Sequence, residues 1–149
     1  MKLYTHMLII LNLLFLNAIF SQEETSKYYI TDLRGNISLE MEINNLKSNK
    51  GPLYIRILDE NENPVIVGTS SVINYSSKIS FDSISPGKYA IQFFHDENEN
   101  QKMDFNLIGI PKEKFGSSND VKPILGPPKF EKMLFEIYQD KKIVMQPVN

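Results

Sequence analysis

The side chains best suited to chemistry lie together in one stretch, HDENENQKMDFNLIGIPKEKFGSSN, from His95 to Asn119. Asp96, Asn98, Asn100 and Asp104 stand at positions 1, 3, 5 and 9 of a DxNxNxxxD pattern, with the carbonyl of Lys102 at position 7. Alternate residues of a tightly curled loop turn their oxygens toward one centre, and calcium takes about 6–8 such oxygens. The spacing therefore suits calcium or a similar hard cation, and it matches the first half of an EF-hand-type loop. Position 6 is Gln101, where such loops place Gly, and position 12 is Leu107, where they place a bidentate acid. Glu113 supplies that acid only if the chain folds back. A second reading stands beside the first: an acidic turn whose Asp and Asn side chains bond their own backbone as Asx turns.

His95 beside Asp96 suggests a general base, and Asp96, Asp104 and Glu113 suggest an acid–base set of the kind glycosidases use. Nothing nearby supplies a nucleophile with an orienting base, and Ser117 and Ser118 lie in GSSN, outside a GxSxG strand–turn–helix setting. His95 reads instead as the packed end of a strand with one ring nitrogen on a loop carbonyl. The rest of the stretch reads as turn chemistry. Gly109 and Pro111 punctuate LIGIPKE, Gly116 allows a reversal before Ser118, and Asn119 staples a loop carbonyl. About thirty residues separate the flanking strands, far above the usual loop length of roughly 4–6. Met103, Phe105, Leu107, Ile108, Ile110 and Phe115 are expected to be buried, which argues against disorder.

The elements that must hold this stretch read as strands. Asn36–Asn44 alternates strictly, with Ile37, Leu39, Met41 and Ile43 on one face. Leu53–Leu58 alternates likewise, and the polar KSNKGP between them predicts an antiparallel hairpin. DENEN at 59–63 reads as a solvated turn. Val65–Tyr75 and Lys78–Ile84 are β-rich, and Ser85, Pro86 and Gly87 form a turn in which Pro presets φ and Gly can take φ > 0. Lys88–His95 is the most apolar run and is expected to be a central strand. Lys129–Tyr138 and Lys141–Val148 complete about seven strands, with no amphipathic helical period. The fold class expected is all-β, a small antiparallel β-sandwich over residues 36–149.

Residues 1–21 carry Lys2 and the apolar run Met7–Leu16, the pattern of a signal peptide with cleavage after Ser21. The run is too short to span a bilayer core of roughly 30 Å; an uncleaved N-terminal anchor is the competing reading. Residues 22–35 read as a flexible lead-in that contributes at most an edge strand. The protein is expected to be exported, periplasmic or extracellular. Cysteine is absent, which excludes thiol nucleophiles, thiolate metal sites, disulfides and a lipidated N-terminal cysteine. After residue 21 the single His is His95, which excludes multi-histidine zinc or copper centres. The 15 basic and 18 acidic residues that follow residue 21 give a net charge of −3, with no basic patch for nucleic acid. No membrane insertion is expected once the leader is removed.

The sequence resembles a bacterial secreted family known as domain of unknown function 2141. The resemblance rests on Pro86, Gly87, Tyr89 and Ala90; His95, Asp96, Asn98, Asn100 and Asp104; Gly109, Pro111, Glu113, Gly116, Ser118 and Asn119; and Gly126, Pro127, Pro128 and Phe130. It covers residues 36–148 and implies an immunoglobulin-like or prealbumin-like sandwich, with no catalytic residues to carry over. The expectation is a non-enzymatic module that holds calcium or no cofactor at the loop and presents the loop to an unknown protein or glycan partner. The alternatives are a small carboxylate-dependent hydrolase and a purely structural envelope protein.

Overall fold

The structure, a computed structural model, describes residues 27–30, 34–123 and 128–148. The expected leader at 1–21 lies outside them, as do Gly126 and Pro127 and most of the lead-in. Nine strands are seen among the described residues: β1 (Lys27–Ile30), β2 (Ile37–Ile43), β3 (Leu53–Asp59), β4 (Pro64–Ser70), β5 (Ser77–Ile84), β6 (Gly87–His95), β7 (Phe115–Ser117), β8 (Phe135–Ile137) and β9 (Lys141–Met145). They form two sheets. The larger has the order β1-β4-β3-β6-β7, with β8 also on β6, and the smaller has the order β5-β2-β9. The protein is thus an all-β sandwich. Among the described residues no helix is long and apolar enough to cross a membrane.

Alternation explains the layers. Ile37, Leu39, Met41 and Ile43 of β2 are all buried, and they face Leu53, Ile55 and Ile57 of β3 and Ile91 and Phe93 of β6 across one core. Each such side chain taken out of water is worth roughly 1.5–3 kcal/mol, so the two inner faces determine the register. β6 is central, as its composition predicts: β3 pairs with it from Tyr89 to His95, while β8 and β7 share its other edge. β1 supplies the edge strand, antiparallel to β4.

Four expectations need correction. β2 and β3 do not form a hairpin, because β2 lies in the small sheet and β3 in the large one. Alternation shows that a strand has a buried face but not which neighbour it pairs with; residues 44–52 cross between the layers, pinned by buried Leu46, whose N–H bonds the Tyr75 carbonyl at 2.9 Å. At the corner before β6 the freedom of Gly87 to take positive φ is not used. Gly87 instead opens β6 beneath the Tyr89 ring, while the Tyr89 hydroxyl donates to the Ser85 carbonyl at 2.9 Å and closes the corner. Lys129–Tyr138 is not one strand: a single helical turn, α1 (Phe130–Met133), precedes β8. Both states bury Met133 and Ile137, so spacing alone did not separate them. Finally, the long loop contains β7, and β9 runs parallel to β2 while every other pair is antiparallel.

Candidate functional site

The base of the loop is tied to the sandwich at β6. The His95 N–H donates to the Lys114 carbonyl at 2.7 Å, and its Nε2 bonds the Lys50 carbonyl at 2.8 Å. The ring is fully buried, with Nδ1 lacking a hydrogen-bond partner among the described residues. This is the packed, carbonyl-bonded histidine that the sequence suggests. Asp96 is also fully buried. Its Oδ1 accepts the Asn100 N–H at 3.1 Å and its Oδ2 the Gln101 N–H at 2.7 Å, so the carboxylate caps the turn from inside. Gln101 stands at φ 65° and Glu99 at φ 60°. The chain therefore makes the sharp turn at position 6 without a glycine.

The remaining pattern residues close a second ring of bonds. The Asn98 and Asn100 amide nitrogens donate to Asp104 Oδ2 at 2.7 and 2.9 Å. Their oxygens face the other way, accepting the N–H groups of Asn100 and Lys102 respectively. Glu113 does fold back, as position 12 would require, and its Oε2 accepts the Asp104 N–H at 3.2 Å. Burial raises the Glu113 carboxyl above its ordinary range, with further upward pressure from Asp96, Asp104 and Glu97, against the opposing Asp104 hydrogen bond. The bonds in this arrangement are made within the loop itself. Two amide nitrogens rather than oxygens point at Asp104, and the amide oxygens are spent on backbone donors. Among the described residues no three or more His, Asp or Glu side chains gather in a metal-holding group. The same Asx chemistry appears at Asp59, which accepts the Asn61 and Asn63 N–H groups at 2.9 and 2.8 Å.

Beyond Asp104 the loop turns outward. Asn106 Oδ1 accepts the N–H groups of Ile108 and Ile110 at 3.0 and 2.9 Å, and Gly109 at φ 78° completes the reversal. Pro111 bridges back to Phe105. The expected burial of the loop's apolar residues fails here: Leu107 is 107% exposed and Ile108 78%, and Phe105 and Ile110 are exposed as well. Asn106 orders the tip by local bonds alone, so the apolar side chains are not needed to hold it. Lys102 and Lys112 lie on either side of this ridge in the sequence and are exposed.

The far end of the loop is a latch. Gly116 makes no reversal; it sits within β7 opposite Phe93, where an added Cβ would stand 2.4 Å from the Phe93 ring. Ser118 is buried, its hydroxyl donating to the Met133 carbonyl at 2.5 Å and accepting the Ile91 N–H at 3.0 Å. That N–H lies in the gap on β6 between the β8 and β7 pairings. Asn119, at φ 61°, donates from Nδ2 to the Lys132 and Leu134 carbonyls at 2.9 and 3.0 Å, the staple its side chain predicts.

A feature that sequence reasoning missed lies on the outer face of the large sheet. Register places Tyr54, Phe94 and Phe115 in one cross-strand row and Val67, Arg56, Gln92 and Ser117 in the next. Tyr54 and Phe94 stack with ring centroids 5.0 Å apart. Burial and then the charge of Asp96 raise the Tyr54 phenol above its ordinary range, keeping it a proton donor. Met103, Val121, Pro128 and Met133 overhang these rows, leaving a cleft of about 370 Å³. The small sheet differs sharply. Its outer face carries Glu40, Glu42, Lys78 and Lys142, with Glu42 Oε2 3.2 Å from Lys142 Nζ. Alternation puts Tyr54 with Arg56 and Gln92 with Phe94 on shared faces, but only the pairing between strands shows that the two faces are one.

The fold and the loop define a two-sheet sandwich whose long acidic loop is internally hydrogen-bonded between a central strand and a short edge strand. Residues 41–146 match the family described as an uncharacterized protein conserved in bacteria, DUF2141, and the chain belongs to that family. No curated protein and no solved structure matches it.

Proposed function

We propose that this protein is an exported, non-enzymatic binding module that uses the 95–119 loop as a recognition surface for a protein or glycan partner. The observation that carries this reading is the contrast between the loop's base and its tip. Asp96 and Asn106 wire the backbone by local bonds, yet Leu107 and Ile108 are exposed to solvent. An exposed apolar ridge on an ordered loop costs solvation and returns it on contact with a partner. Pre-ordering also lowers the entropy lost on binding.

Two further observations support binding over hydrolysis. Asp96 and Glu113 point onto backbone donors, and neither they nor Asp104 line the cleft. In this reading calcium has no required part, because the hydrogen-bond network already orders the turn. Export rests on the residue pattern at 1–21. The test is a photo-crosslinking residue placed at Ile108, with Glu40 on the small sheet as control, in the bacterium that makes the protein. Discrete adducts from position 108 and none from position 40 are expected. No adduct at 108, or the same adducts from both, would sink the proposal.

A further inference from the structure

We propose that the cleft on the outer face of the large sheet is a binding site for a small amphiphilic carboxylate, an aryl or medium-chain acyl acid, whose carboxylate sits on Arg56. The volume, about 370 Å³, lies at the low end of ligand pockets, which run about 300–1,000 Å³. A small occupant is therefore indicated. The walls are the stacked Tyr54 and Phe94, with Phe115, Met103 and Met133. Aromatic rings supply large apolar area, and methionines adapt their shape to irregular apolar groups.

The polar groups of the cleft are few and positioned. Arg56 Nε donates to Gln92 Oε1 at 2.6 Å, and Gln92 Nε2 donates to Met133 Sδ at 3.3 Å, so Gln92 braces both the cation and one wall. Arg56 forms no salt bridge among the described residues, and its cross-strand row of Val67, Gln92 and Ser117 contains no acid. With Nε occupied, its terminal nitrogens offer donors that match the two oxygens of a carboxylate. The second observation is independent of charge. Ser117 is 4% exposed, shares the Gln92 row and lines the cleft, and its hydroxyl has no hydrogen-bond partner among the described residues. A buried hydroxyl without a partner is unfavourable, and rotation of the Ser117 side chain toward the cleft brings it to a polar ligand atom. An acid with an apolar body satisfies the cation, the hydroxyl and the walls together.

The probes are octanoate and 4-phenylbutyrate, each compared with its primary alcohol, titrated into the purified protein and followed by amide chemical shifts. Shifts should concentrate at residues 92–94 and 115–117, and each acid should bind at least about tenfold tighter than its alcohol. Arg56→Met, which keeps the apolar stem, should bring the acid down to the alcohol's affinity and leave the alcohol unchanged. Retained alcohol binding shows that the variant is folded. Ser117→Ala should weaken both probes. Acids no tighter than alcohols, shifts mapping elsewhere, or an Arg56→Met protein that binds acid as before would each overturn the assignment, as would no binding of either probe.

Discussion

Gln101 gives its backbone N–H to Asp96 Oδ2 at 2.7 Å while standing at φ 65°, so the carboxylate holds a non-glycine residue in the left-handed region. That conformation costs an L-residue roughly 1–2 kcal/mol, and Gly would return roughly 0.4–1 kcal/mol of this as unfolded-state entropy. Gln101→Gly should therefore stabilise the protein by about 0.5–1 kcal/mol. A rise of a few degrees in Tm checks this; a fall would mean that the Gln side chain itself supports the turn.

Asp96→Ala should destabilise the fold by about 2–4 kcal/mol, because it strips two N–H groups of a charged acceptor, a drop in Tm on the order of 10 °C. Asp104→Ala removes a surface acceptor for two amides and should cost about 1 kcal/mol. If the network alone orders the loop, melts of the parent in excess EDTA and in about 1 mM calcium should coincide. A calcium-dependent rise abolished by both substitutions would restore the cation reading.

The raised carboxyl of Glu113 has a defined sign in stability. The folded chain holds this proton to higher pH than the unfolded chain, so between the ordinary glutamate value of about 4.3 and the raised one, stability falls as pH rises. The contribution is intact below that window and lost above it. Glu113→Gln keeps an oxygen for the Asp104 N–H and removes the titration. The variant should melt above the parent at neutral pH, with the difference closing toward pH 4. A gap independent of pH would place the effect in packing.

The latch at the loop's far end is testable in urea. Ser118→Ala leaves the Ile91 N–H without its acceptor in the buried gap between β8 and β7, a cost of about 1–3 kcal/mol. Asn119→Gly preserves the φ of 61° but removes both carbonyl staples, and should cost about 1–2 kcal/mol. An unchanged midpoint in either variant would show that α1 is held by packing of Met133 alone.

Much of this molecule is legible in its sequence because the two sheets have one wet and one dry face. Ile37, Leu39, Met41 and Ile43 announce β2, and the apolar Tyr89–Phe94 run announces the central strand. Pairing is another matter. Nothing local to Leu53 says that it meets His95 rather than Ile43, since partners are chosen by the whole set of faces to be buried. The loop divides in the same way. Asx turns and the Asn119 staple are local and can be read from residue type, whereas Ser118 bonds Ile91 across 27 residues. The apolar tip misleads for a physical reason: Asn106 removes the need for a core beneath it, so hydrophobicity there reports something other than folding. The cleft is invisible until Arg56 and Gln92 are placed side by side.

The parallel pairing of β2 with β9 bears on the order in which the chain is completed. β2 is the middle strand of its sheet, and one of its two neighbours is residues 141–145. Half of that ladder must wait until residues 141–145 are in place, and contacts of such long sequence separation slow folding to the millisecond-to-second range. The small sheet is therefore finished last, with β2 holding β5 alone until β9 joins its other edge.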